Sequence, residues 1–134
     1  MLWLCGSSIL AHPDYLPYFN EFAGDHPENI VVDSDLDWGQ DLKRLGARLR
    51  ELNAPFVTFT PIIGAGLSTF GFPPHQRNAY DAPDPGWNAV SISEWKLYRL
   101  GLQMRQTGER TWPDLVQPTE RVGKSIYLYY IPPR

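Results

Sequence analysis

A chain of 134 residues, 43% of them hydrophobic, carries enough apolar material for one core and not for two. Its formal net charge of -3 and the absence of any lysine or arginine run exclude the basic footprint that a nucleic-acid backbone requires. The single cysteine, Cys5, excludes an internal disulfide and a multi-cysteine zinc site.

The first eleven residues, MLWLCGSSILA, are apolar. A bilayer crossing needs about 20 such residues, so this stretch does not span a membrane by itself. It also lacks the positive leader of a secretion signal. If Met1 is the native start, the expected compartment is the cytoplasm; the other reading makes residues 1–12 the tail of a membrane helix in a longer parent chain. Next comes HPDYLPYFNEFAGDHPEN, read as a short aromatic helix or turn with Pro17 in its first turn and Gly24 just past its end. Tyr15, Tyr18, Phe19 and Phe22 would supply its buried face.

NIVVD at 29–33 and FVTFT at 56–60 are short apolar runs rich in β-branched residues, which predicts two buried strands. Between them Trp38, Leu42, Leu45, Leu49 and Leu52 fall on one helical stripe. Strand, helix, strand in this order predicts a right-handed crossover between parallel strands. WNAVSI (87–92) is a third strand candidate, and KSIYLYYI (124–131), with aromatic and aliphatic residues in alternation, a fourth. Ser91 or Ser93, followed by Glu94 and WKLYRLGLQM, predicts a second helix ending near Gly108. The expected fold is therefore a single α/β domain over residues 1–134: a mixed sheet of four or more strands, a β-α-β start, and helices packed on it.

From Pro61 to Gly86 the chain shows no convincing period. Loops longer than about 12 to 15 residues are usually functional or mobile. This one offers Phe70, Phe72, His75, Gln76, Arg77 and Tyr80 for ligand contact, or else forms an irregular cover over one end of the sheet.

The stretch DSDLDWGQD (33–41) places four acids in nine positions. Asp37 with Gln40 three residues later is a capping-box pattern that would make Asp37 the helix N-cap. Asp41 would then sit in the first turn, where a negative charge favours the helix dipole. Asp33, Asp35 and Asp37 have the first three spacings of a calcium-binding EF-hand loop, but Trp38 replaces the glycine at its sixth position and Arg44 the glutamate at its twelfth. No metal site is expected there. Asp33 and Asp35 would lie at the carboxyl end of the first strand, where open α/β sheets bind their ligands. With Thr60 and Ser91 ending neighbouring parallel strands and the face of Trp38 nearby, the pocket would suit a sugar, with His75 and Arg77 reaching in from the long loop. The alternative is that Asp33 caps turn amides.

No G-x-S-x-G elbow, phosphate-cradling G-x-x-x-x-G-K loop or H-E-x-x-H pair occurs. His12, His26 and His75 each neighbour a proline and are far apart in sequence. No catalytic set and no cofactor are implied by these motifs.

HPDYLPYFNEFAG, VVDSDLDWGQDLKRL, GWNAVSIS and ERVGKSIYLYYI together resemble the C-terminal soluble segment of polyprenyl-phosphate-sugar-dependent membrane glycosyltransferases, the bacterial protein mannosyltransferase and aminoarabinose transferase class. The resemblance implies an extracytoplasmic domain beside a membrane-embedded catalytic region that this chain does not contain. It further implies a non-catalytic accessory domain that binds a glycan or polyprenyl-phosphate sugar, attached to the membrane through the missing parent region. Two other functions stay open: a small stand-alone enzyme using Asp33 and Asp35 as an acid-base pair, and a protein-interaction module that forms a homodimer through the N-terminal segment.

Overall fold

The leucine stripe folds as helix α1, Leu42–Glu51, in the computed structural model, which describes Gly6, Ile9, His12, residues 37–62 and residues 66–133. Leu42, Leu45 and Leu49 are buried on one side of it. The helix begins later than the capping pattern predicts, and the reason is local. Gly39 has φ +79, a left-handed conformation that ends any helix reaching back to Trp38. The Asp37 carboxylate accepts the Gly39 N–H at 2.9 Å, and the Gln40 side-chain oxygen accepts the Trp38 N–H at 2.8 Å. Asp37 and Gln40 therefore brace the turn before the helix, and the cap position belongs to Asp41. Trp38 leaves the stripe and is exposed. At the other end Asn53 (φ +49) closes α1, with the Ala54 N–H on the Leu49 carbonyl and the Asn53 N–H on that of Arg50, a Schellman arrangement.

Five strands form one mixed sheet: β1 (Val57–Thr60), β2 (His75–Gln76), β3 (Gly86–Ser91), β4 (Glu120–Val122) and β5 (Ile126–Ile131), in the order β2-β1-β3-β5-β4. β1 runs parallel to β2 and to β3; β5 runs antiparallel to β3 and β4. Helix α2, Ile92–Met104, follows β3 directly. Its N-cap is Ser91, whose hydroxyl accepts the Glu94 N–H, and its last residue stands four positions before the predicted Gly108 because Gln106 turns left-handed at φ +53. Within the long segment 61–86 a 3-10 turn, Leu67–Phe70, precedes β2.

Alternation along the strands assigns each side chain to one of two faces. Val57, Phe59, Ala89, Ile126 and Leu128 pack with Leu42, Leu45 and Leu49 of α1 in one cluster. Val90 and Tyr129 pack with Tyr80, Trp95 and Trp112 in the other, under α2. A helix thus covers each face, the layering of an α/β domain. Phe70 and Phe72 from the long segment join the first cluster, Phe72 stacking on Phe59 with centroids 5.8 Å apart. That segment seats on α1 at Gly46, where a Cβ would lie 2.0 Å from the Phe70 carbonyl oxygen. The aromatic segment 13–28, the strand expected at 29–33, and Asp33 and Asp35 lie outside the described residues. No helix among the described residues is long and apolar enough to cross a membrane.

Candidate functional site

Thr60 and Ser91 end β1 and β3 beside each other, since Thr60 is in register with Val90. Their side chains point to opposite faces. Thr60 shares the face of Val90, under α2, and its hydroxyl accepts the Asn78 N–H at 3.0 Å. Ser91 is one residue further on and faces α1, donating its hydroxyl to Asp37 at 2.8 Å. His75 aligns with Val57 at the opposite end of β1, about 10 Å along the strand from Thr60. His75 and Arg77 are both exposed. The structure thus brings together Asp37 and Ser91, while Thr60 is buried beside Asn78 and Trp38, His75 and Arg77 are exposed.

The two described acids of the acidic stretch hold the scaffold. Burial raises the Asp37 carboxyl above its ordinary range; the bonds from Gly39 and Ser91 oppose this shift and the charge of Asp41 adds to it. Asp37 is 4% exposed and Ser91 fully enclosed, so the pair joins the turn before α1 to the cap of α2 and presents no nucleophile to solvent. Asp41, also buried, reaches the turn between β4 and β5. One of its oxygens accepts the Lys124 N–H at 3.0 Å, the Ser125 N–H at 3.1 Å and the Ser125 hydroxyl at 2.8 Å, and the other accepts from Arg44 at 2.8 Å. Gly123 (φ +59) in that turn lies so close that a Cβ there would overlap the Asp41 carboxylate.

A groove opens instead on the α2 face. It has a volume of about 510 Å³, with Trp95 and Arg99 of α2, Arg121 of β4, Tyr127 and Tyr129 of β5, and residues 113, 114 and 116–118 on its walls. Trp95 is fixed by its indole N–H, which donates to the Thr111 hydroxyl oxygen at 2.7 Å, and it meets Tyr127 edge-on at 6.4 Å between centroids. Thr111 and Asp114 in turn cap a short 3-10 turn, Trp112–Asp114, reciprocally. Both arginines lie over rings: the Arg99 guanidinium carbon is 5.4 Å from the Trp95 centroid, and that of Arg121 5.6 Å from Tyr127. Arg99 also pairs with Asp114 at 3.2 Å. Burial pushes the Tyr129 hydroxyl up, so it remains protonated and able to donate. Two further hollows, of about 550 and 250 Å³, adjoin along α2, and Arg99 borders all three.

None of Trp38, Thr60, Ser91, His75 or Arg77 lines this groove. The sequence did hold a signal for it. The alternation in KSIYLYYI puts Tyr127 and Tyr129 on one face of a strand, and read as core alone it conceals that both rings border an opening. Among the described residues, no three His, Cys, Asp or Glu side chains are placed to hold a metal ion. In comparisons with known proteins, no family model, no curated protein and no solved structure matches the chain.

Proposed function

We propose that the domain is a non-catalytic accessory module that binds a glycan or the sugar-phosphate end of a polyprenyl-phosphate sugar. The observation that supports this reading is the groove in which Trp95 and Tyr127 stand beside Arg99, Arg121 and Lys96. The C–H face of a sugar packs on an aromatic ring, and its hydroxyls need a few placed polar groups. A guanidinium offers paired donors to a phosphate. Arg99 is now held by Asp114, so an incoming phosphate would compete with that carboxylate for the same fork. Binding without turnover fits the two described acids of the acidic stretch, because Asp37 and Asp41 are committed to hydrogen bonds within the scaffold.

Calorimetric titration of the full chain with a hexose 1-phosphate, the free hexose and inorganic phosphate tests the reading. The hexose 1-phosphate should bind more tightly than either part. Arg99→Gln should weaken it about tenfold, the scale of one lost charge-assisted hydrogen bond. Tyr127→Leu, which keeps an apolar wall, should weaken the hexose-bearing ligand and leave inorganic phosphate unchanged. Equal affinity in both variants and the parent protein would remove the groove as the site.

A further inference from the structure

We infer that the ligand of this domain is a phosphodiester, with its sugar in the groove and a second, hydroxyl-bearing arm in the adjoining hollow of about 550 Å³. The inference rests on the reading that Arg99 receives the phosphate. Arg99 and Asp114 border both spaces, so a phosphate on that fork adjoins both, and a diester has one arm for each. Along α2 the groove takes Trp95 and Arg99, and the hollow takes Arg99, Gln103 and Gln106. These positions follow one another at i+4, i+4 and i+3, which makes one continuous side of the helix about 16 Å long at 1.5 Å per residue. Each volume alone falls within the roughly 300 to 1,000 Å³ of a complete small-molecule site, so there is room for two units. The facing wall is set by the chain reversal after α2. Gln106 (φ +53) and Gly108 (φ +65) turn left-handed, and the Thr107 N–H donates to the Leu102 carbonyl at 3.4 Å. Trp112 pins the returning segment, its backbone N–H on the Tyr80 carbonyl at 3.0 Å and its indole N–H on the Ala79 carbonyl at 2.8 Å.

The lining of the hollow selects the second arm. Its two cations, Arg99 and Arg110, are matched by two acids, Glu109 and Asp114. Balanced charge gives a second phosphate no reason to enter, whereas the groove has three cations and one acid on its walls. An alkyl chain fits no better. It would cover Gln103, Gln106, Glu109 and Arg110, whose exposed side chains make no hydrogen bond or ion pair among the described residues, and would take their water without replacing it. A polyol suits the same set, because each of its hydroxyls donates and accepts: the glutamine amides do both, Arg110 donates and Glu109 accepts. The hollow thus favours a phosphate-linked glycan or glycosyl polyol over a prenyl chain as the second arm.

The experiment is calorimetric titration of the full chain with two diesters of glucose 1-phosphate, the glycerol ester and the methyl ester, which carry the same single negative charge. The glycerol diester should bind about fivefold to tenfold more tightly, the scale of one or two neutral hydrogen bonds. Gln103→Leu with Gln106→Gly removes both amides and suits the left-handed backbone at 106. It should erase that difference while the methyl diester binds as it does to the parent chain. An octyl diester should bind no more tightly than the methyl one. If the methyl diester binds and the glycerol arm adds nothing, or if the double variant leaves the difference intact, the inference falls and the reading of the groove stands. Tighter binding of the octyl diester would assign the second space to a lipid chain and overturn the inference equally. Binding of neither the glycerol nor the methyl diester would remove the groove as the site and the inference with it.

Discussion

Asp37 and Asp41 are four residues apart, and both are buried carboxylates whose partners are distant in sequence: Ser91 is 54 positions from Asp37, and Ser125 is 84 from Asp41. Local spacing could not reveal those partners, and the capping box expected at Asp37 and Gln40 is displaced by the left-handed turn at Gly39. Their consequences differ. The carboxyl of Asp37 is raised, chiefly by burial, so the folded state holds its proton more tightly than the unfolded chain. The stabilisation it gives is fully present below the unfolded value of about 3.9 and is lost as pH rises through the folded value. Asp37→Asn, a neutral isostere that keeps an acceptor for the Gly39 N–H, should thus gain melting temperature relative to the parent chain as pH climbs from 4 to 7. A growing deficit of the Asn variant over that range would mean that Ser91 and Gly39 outweigh burial. Asp41→Ala orphans two turn amides and should cost about 3 kcal/mol in urea unfolding at neutral pH. Asp41→Asn, able to keep an oxygen in the turn, should cost less.

Helix α1 shows how far periodicity reaches. Its leucine stripe located the helix and its buried side, but the start slipped because Gly39 is left-handed and the stripe's first member, Trp38, is exposed. The strands at 56–60, 87–92 and 124–131 were legible as short apolar runs, the last with aromatic and aliphatic residues in alternation. β2 and β4 were not, since two and three residues are too short to show a period. Their pairing comes from neighbours: β2 from the register of β1, β4 from the turn at Gly123 that returns the chain onto β5. Gly46 is another feature without a sequence signature. Substituting alanine in a helix interior normally gains about 1 kcal/mol. Here the new Cβ meets the Phe70 carbonyl oxygen at 2.0 Å, so the long segment must shift. Gly46→Ala should be net destabilising by about 1 to 3 kcal/mol in chemical denaturation. A gain in stability would show that the 3-10 turn at Leu67–Phe70 yields at little cost.

The sheet divides the domain into a face packed under α1 and a face where packing is interrupted by the groove beside α2. The mixed α/β architecture was readable in the sequence because it follows from the order of apolar runs. The groove was not, because it is made by residues from α2, β4, β5 and the segment 113–118 that meet only when the sheet order β3-β5-β4 is known. The sites at Asp33 and Asp35 stand on residues outside those described, so the α2 face carries the functional reading. The most direct test is a ¹⁵N-¹H spectrum of the full chain titrated with a hexose 1-phosphate. The account predicts saturable shifts concentrated in the amides of 95–99, 113–121 and 127–129, with 37–41 and 57–60 undisturbed. Shifts confined to 37–41 and the ends of β1 and β3, or none at all, would contradict it.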